Sequence, residues 1–456
     1  MESEHRALAG WGRTAPSVAT VVRATSDELA ADGCLERLVA HGRGAIARGL
    51  GRSYGDPAQN AGGTVVELQS GSDPIRIDED AGLAHVDAGV SFDTLLRTMV
   101  PMGWFVPVTP GTRFVTVGGA IASDIHGKGH HADGSFGAHV TRMGMLLADG
   151  TRRSITRDSD PELWWATIGG MGLTGIITDA SFHIIPIETR HFMVETRRVP
   201  NFDALVEAME ANDHLYRYSV AWIDLVATGK SLGRSVLSMG NHASLDELRA
   251  SDPKAARTPL DFDPAVYPDI PVGVPNVLTR PAVRAFNELW YRKTPKQHRG
   301  TESITQFFHP LDMVGQWTRL YGQYGFLQYQ FVVPFDAVDT MRTIVARISQ
   351  EGHASFLAVL KRLGTESGGL LSFPRPGWTL TLDLPAGVDG LDTLLSELDE
   401  LVLGVGGRHY LAKDAFATPA VVAAGYPRLD EWKAIRRRVD PDGVWASDQA
   451  RRLELL

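Results

Sequence analysis

Thr116-Val117-Gly118-Gly119-Ala120-Ile121-Ala122-Ser123-Asp124-Ile125-His126-Gly127-Lys128-Gly129-His130-His131 joins a run of small residues to a cluster of ionisable groups. Gly118 and Gly119 have no Cβ, so the backbone there can approach a ligand closely. The stretch also carries the Thr116 and Ser123 hydroxyls, the Asp124 carboxylate, three imidazoles and the Lys128 ammonium. That combination suits a site holding a planar cofactor beside a reacting alcohol.

A second stretch narrows the reading. Ala45-Ile46-Ala47-Arg48-Gly49-Leu50-Gly51-Arg52-Ser53-Tyr54-Gly55-Asp56 reads as a short apolar strand entering a glycine-rich turn. Successive N–H groups in such turns form anion-binding nests, and a pyrophosphate is a natural guest. The two stretches are far apart in sequence, so they are two loops and not one motif. No Gly-x-Gly-x-x-Gly fingerprint opens a βαβ unit, which disfavours a nicotinamide Rossmann enzyme.

Composition bounds the rest. At 456 residues the chain exceeds one ordinary core, and two domains are the default. The net charge of −9 argues against a nucleic-acid partner, whose phosphates need a basic face. No apolar run reaches the roughly 18 residues of a spanning helix. The segment Met1-Glu2-Ser3-Glu4-His5-Arg6 is polar and lacks the apolar core of a secretory signal. Cys34 is the only cysteine, so disulfide frameworks and multi-cysteine zinc sites within one chain are excluded. It is expected in a helix, buried or half-buried.

The first part alternates short strands and helices. Leu95, Leu96, Met99 and Val100 recur near a 3.6-residue period, with Ser91 or Asp93 as the cap. Leu163 to Thr167 is helical in pattern, and a strand starts near Gly175 and ends near Pro186. Beyond it, Ser219 to Leu225, Phe326 to Pro334, Leu357 to Lys361 and Thr379 to Leu384 read as strands. A helix is expected from Asp389, its N-cap, to Val402. Ser251 to Gly300 is rich in proline and shows no clear period; such a length is usually functional or mobile.

Six segments in order carry a family resemblance. They are Gly10-Trp11-Gly12-Arg13-Thr14, the Gly51-to-Asp56 turn, the His126 segment, Phe326 to Phe331, Ala412-Lys413-Asp414 and Ala446-Ser447-Asp448. Together they resemble the vanillyl-alcohol oxidase and aldonolactone oxidase superfamily, over nearly the whole chain. The match is sharpest to its branch that oxidises a polyprenyl-phosphate sugar. The resemblance implies an α+β fold with two domains: a vanillyl-alcohol-oxidase-type FAD-binding domain and an antiparallel-sheet substrate domain. The boundaries it implies are 1–189 for the FAD-binding domain, 190–406 for the substrate domain and 407–456 for a return to the first.

The same resemblance implies FAD-dependent oxidation of the ribose 2′-hydroxyl of decaprenylphosphoryl-β-D-ribose to a 2-keto intermediate. A separate NADH-dependent keto-reductase would complete epimerisation to the arabinose used in cell-wall arabinan. A soluble sugar or aldonolactone oxidase is the alternative, and a silent FAD-binding scaffold a third reading. The lipid substrate implies membrane association, at the periplasmic face by resemblance; with no export signal visible, the cytoplasm is the alternative.

Site residues follow by the same resemblance. Cofactor contacts are expected from Ala47, Arg48, Gly49, Leu50, Gly51, Arg52, Ser53, Tyr54, Gly55 and Asp56 in the turn. Gly111, Thr116, Val117, Gly118, Gly119, Ser123, Asp124, Ile125 and His126 follow, with Ile177 and Tyr410. Substrate contacts are expected from Tyr54, Lys128, Trp222, Gln328, Gln330, Lys361, Thr379 and Lys413. Lys413 and His126 are the catalytic candidates, Lys413 as proton acceptor or as a cation orienting the sugar. Gln328 and Gln330 share one strand face, opposite Leu327, Tyr329 and Phe331. Plainer readings stand beside these: a solvated strand-end lysine for Lys413 or Lys361, an ordinary aromatic core for Tyr54 or Trp222. His126, His130 and His131 do not form a metal motif, because Gly127 and Gly129 oppose the helix that would align them.

Arg52 occupies the turn position where relatives that bind FAD covalently carry a linking histidine. Arginine cannot make that bond, so FAD is expected to be noncovalent. Purified protein should be yellow and release intact FAD on acid precipitation. Flavin retained in the washed pellet would show that another residue, such as His126, forms a link.

Overall fold

The computed structural model describes every residue except 1, 30, 32, 265, 266, 272, 274–277 and 353–355. Two larger sheets dominate the N-terminal part, beside a two-stranded pairing of Trp104–Phe105 with Ile185–Pro186. In the first, Glu2–Leu8, Ser17–Thr25, Thr64–Gln69 and Ala45–Arg48 (β1) lie side by side in that order. β1 runs parallel to Thr64–Gln69. Parallel neighbours need a crossover, and here the crossover contains the glycine-rich turn. The second sheet is antiparallel, in the order Ile75–Asp78, Leu83–Asp87, Ile176–His183, Val140–Leu146, Arg152–Ile155.

Local sequence explains the helices between them. Ser91 caps Phe92–Met99 by accepting from Thr94 N, and Leu95, Leu96 and Met99 are buried. Asp93 instead meets the buried Arg113 at 2.6 Å. Val117–Ala122 (α1) starts at Thr116, whose hydroxyl accepts from Gly119 N at 3.2 Å. Cys34 is buried at the start of Cys34–Val39.

The second region is an eight-stranded antiparallel sheet. Tyr218–Ile223 (β2) is followed in the chain by the helix Arg280–Lys293 (α2) and by Phe326–Val333 (β3), Ala358–Leu363 (β4) and Gly377–Pro385 (β5). The strand order is Gln297–Ser303, His191–Val199, Ser235–His242, β2, β4, β5, β3, Arg408–His409. Helices Phe202–Asn212, Val338–Glu351 and Leu391–Gly404 cover one face. Leu380, Leu382, Leu384, Tyr329 and Phe331 point into that apolar core. The two-residue period of a strand then sends Gln328, Gln330, Thr379, Thr381 and Asp383 to the other face, which looks toward the N-terminal part.

Two expectations change. The helix Leu391–Gly404 begins after Gly390 at φ +79 with no side-chain cap, so Asp389 does not cap it. The stretch 251–300 is not structureless: α2 lies inside it, and Gln297–Ser303 begins before its end. The fully buried stripe of α2 is only Val283 and Asn287, too narrow to register as a hydrophobic period. Residues 265, 266, 272 and 274–277 of that stretch lie outside the described residues.

The chain then turns back. Arg408–His409 still belongs to the large sheet, beside β3, so that sheet ends past residue 406. The following segment runs against the glycine turn. Tyr54 N donates to Ala412 O at 3.0 Å, while Trp11 N donates to Ser53 O at 2.7 Å and Gly12 N to Tyr54 O at 3.1 Å. Arg452 bridges Asp56 at 2.6 Å and Asp414 at 2.7 Å. Ala45 N donates to Val444 O at 2.7 Å, tying β1 to the tail.

At Gly55 this approach leaves no room: an added Cβ would lie 1.9 Å from Asp414 O. Gly55→Ala must separate the two backbones. It should cost about 1–3 kcal/mol, read as a lowered urea midpoint, and should yield protein with little bound flavin. A variant with parental midpoint and colour would show that the tail yields freely here.

Candidate active site

The floor of the site is the polar face of β2, β4, β5 and β3. Register sets its neighbours: Gln328 faces Asp383, Gln330 faces Thr381, and Lys361 faces Thr379. Gln330 Nε2 donates to Thr379 Oγ1 at 3.2 Å and to His126 Nε2 at 2.9 Å. His126 therefore accepts through Nε2 and carries its proton on Nδ1. Burial, together with Lys361, His130 and Lys413, pushes the His126 pKa well down, so the ring is neutral.

Asp383 was not among the residues singled out from the sequence. It is fully buried, and Gln328 Nε2 donates to it. Tyr321 OH donates to its other oxygen at 3.3 Å. Gln328 Nε2 also donates to Tyr54 OH at 3.0 Å. The Lys413 ammonium sits 4.1 Å from the centroid of the Tyr54 ring, a cation–π contact. Burial drives Asp383 above the usual carboxylate range, while Gln328 and Lys413 oppose that shift. Burial lowers Lys413, opposed by Asp383. The signal for Asp383 was present in the sequence: it continues the alternation Thr379, Thr381, Asp383 against Leu380, Leu382, Leu384.

Two further lysines reach the same space. Lys128 donates to Phe307 O, with its ammonium 4.3 Å from the Phe307 ring centroid. Burial pushes Lys128 down to about 8, partly offset by Glu302. Burial, Lys413 and Lys128 push Lys361 down to about 7. Trp222 closes one side, its indole N–H donating to Phe356 O at 3.0 Å. The three histidines point to separate partners: His130 Nδ1 accepts from Gly364 N at 2.9 Å, and His131 Nε2 meets Tyr216 O at 2.8 Å.

The turn fits a pyrophosphate. Among the described residues no acceptor is bonded to the N–H groups of Leu50, Gly51, Arg52 and Ser53, and Gly51 lies at φ +64, as nests require. Arg52 Nε and His126 Nδ1 are buried without a partner among the described residues. The Arg52 guanidinium lies 3.8 Å over the Trp11 ring and 5.3 Å from that of Phe114. Gly111 adjoins open space, since a Cβ there would meet nothing within 4 Å. Tyr410 OH donates to Ser123 O at 2.8 Å, joining the returning tail to the loop after α1.

Several expected cofactor contacts are spent within the protein instead. Arg48 donates to Ala9 O at 2.8 Å and Ala58 O at 2.9 Å, bracing the turn. Asp56 is held by Arg452. The Asp124 carboxylate accepts from Ser135, Gly137 N, Ser367 and Ser372. Val117, Ile125 and Ile177 are buried in the apolar core. Nor do the paired glycines make room for a ligand: a Cβ on Gly118 would meet Ala88 Cβ at 2.9 Å, and one on Gly119 would meet Thr116 Oγ1 at 3.1 Å. These positions brace the loops around the turn.

Comparison with known proteins agrees with this geometry. Residues 18–156 match an FAD binding domain family, and residues 389–453 match the D-arabinono-1,4-lactone oxidase family. The chain is thus an FAD-dependent oxidoreductase with a C-terminal part similar to that of a lactone oxidase. It is 47% identical to the decaprenylphosphoryl-beta-D-ribose oxidase of Mycolicibacterium smegmatis, over 98% of this chain and 97% of the relative. A Streptomyces coelicolor protein of uncharacterised role is 37% identical over 80% of this chain and all of its own length. The L-gulono-1,4-lactone dehydrogenase of Mycobacterium tuberculosis is 20% identical over 96% of both. The chain belongs to the decaprenylphosphoryl-β-D-ribose oxidase family.

Lys361 gives a pH test. Its pKa is about 7 when folded, against about 10.4 when unfolded. Between these values the unfolded chain binds more protons, so stability rises with pH. Lys361→Met removes the penalty of a buried cation. Without FAD it should raise the unfolding free energy from urea titration at pH 7 by about 2–4 kcal/mol, and the gain should shrink as pH approaches 10. A gain that does not depend on pH would show that Lys361 is solvated.

Proposed function

We propose that this chain oxidises the 2′-hydroxyl of decaprenylphosphoryl-β-D-ribose to the 2-keto sugar. One observation carries the reading: Lys128, Lys361 and Lys413 converge on a buried face that also bears Gln328, Gln330 and Asp383. Lys128 and Lys361, with so little opposing charge, suit a phosphate, and paired amides suit ribose hydroxyls. A soluble lactone offers nothing to neutralise that charge.

FAD, when bound in the turn, supplies the hydride acceptor. The protein's own groups handle the proton. Lys413, its pKa lowered by burial, takes the hydroxyl proton at Nζ. Gln328 connects Asp383 to the Tyr54 hydroxyl, and the Tyr54 ring carries the ammonium, so these residues fix where Nζ lies. Neutral His126, held by Gln330, orients the sugar and adds no charge. Lys128 and Lys361 hold the phosphate. The reading also implies a separate NADH-dependent keto-reductase as partner and work at the periplasmic face of the membrane.

Anaerobic stopped-flow bleaching of the flavin tests this. Polyprenylphosphoribose should bleach it, and an aldonolactone should not. Lys413→Ala should keep FAD and slow bleaching by about 10²–10⁴-fold. Gln330→Ala should mainly weaken substrate binding. Bleaching by the lactone alone would overturn the substrate assignment. A Lys413→Ala rate within about threefold of the parent would remove Lys413 from the proton step.

A further inference from the structure

We propose that α2 docks the protein on an anionic membrane surface, presenting the mouth of the site to a lipid-linked substrate. The docking stands on features of α2; what it serves rests on the function proposed above.

The helix is amphipathic in an unusual sense. Its inner stripe is Val283 and Asn287. On the outside, Phe286, Leu289 and Trp290 recur at i, i+3 and i+4, with 44%, 68% and 43% of their surface exposed. The Phe286 and Trp290 rings stack at 6.2 Å and 14°. Exposed large apolar residues clustered on one helix face mark a contact surface.

Charge selects the partner. Between residues 280 and 299 lie Arg280, Arg284, Arg292, Lys293, Lys296 and Arg299, all exposed. Glu288 is the only acid in that span, and it is engaged by Arg234 and Arg292. This basic block belongs to a chain whose net charge is −9. Aromatic and leucine side chains beside exposed lysines and arginines are the pattern of a helix lying in a lipid headgroup layer. Among the described residues no helix is long and apolar enough to cross a membrane.

Position ties the surface to the site. Phe286 meets Phe356 edge-on at 5.9 Å, and Phe356 lies 6.1 Å from Tyr321. Tyr321 OH donates to Asp383, and Phe356 O accepts from Trp222. Two rings in contact, Phe356 and the buried Tyr321, thus join the exposed stack to the polar floor, so the docked face lies beside the site.

The test is flotation of the FAD-loaded protein with phosphatidylglycerol–phosphatidylcholine vesicles and with pure phosphatidylcholine vesicles. The parent should float with the anionic vesicles only. Leu289→Asp with Trp290→Asp should abolish flotation. Arg284→Glu with Lys293→Glu should weaken it on the order of tenfold or more, as should about 0.5 M salt. Thermal midpoints and flavin bleaching by a water-soluble short-chain phosphoribose should match the parent in every variant. The proposal is overturned if the parent stays unbound, if the aspartate pair floats normally, or if both vesicle types bind equally. A dimer that the aspartate pair converts to monomer would assign the face to a second copy and also overturn it. The vesicle arm contains no substrate and the bleaching arm no vesicle, so failure of the docking and failure of the proposed chemistry are read separately.

Discussion

Three backbone segments far apart in sequence meet at Ser53–Gly55, and the site depends on how closely they meet. Trp11 and Gly12 donate to the turn from one side, and Ala412 accepts from Tyr54 on the other. Glycine makes this possible: a Cβ on Gly10 would lie 2.0 Å from Gly55 O, and one on Gly55 would lie 1.9 Å from Asp414 O. The same contact brings Lys413 over the Tyr54 ring. The glycine turn and Lys413 are therefore positioned by one piece of backbone packing, with Arg452 clamping Asp56 and Asp414 beneath it.

Electrostatics works against that packing. The fold gathers three lysines and two histidines around one polar face, and burial depresses the pKa of each. Asp383 and Glu302 offset little of this. A buried cation without a partner is among the larger penalties a fold accommodates. The region is accordingly less stable by itself than with an anion in place, and ligand binding adds to stability by mass action.

Much of this was legible in the sequence because it is written in short periods. The alternation through Gln328 and Gln330 predicts which amides face the site, and β3 places them so. The Ser91 cap and the Leu95–Met99 stripe follow the same logic. Asp383 lay two steps further along the same face as Thr381, inside the strand read from Thr379 to Leu384. What the sequence hid is long-range. Nothing near Gly118 says that its missing side chain is filled by Ala88, and nothing near Asp56 or Asp124 announces Arg452 or the Ser367–Ser372 hydroxyls. α2 escaped for another reason: only Val283 and Asn287 of it are fully buried, and its large apolar residues Phe286, Leu289 and Trp290 lie on the outside.

The return of the tail also sets a timetable. Residues 412 to 452 are synthesised some 350 residues after the turn they close against. At 5–20 residues per second that interval is roughly 20–70 s. Throughout it, Gly55 lacks the Asp414 carbonyl, Asp56 lacks Arg452 and β1 lacks its tie to Val444. The nascent N-terminal part thus waits with an unfinished edge, far longer than the microseconds in which hairpins form. The turn reaches its final packing only as the C-terminal segment emerges.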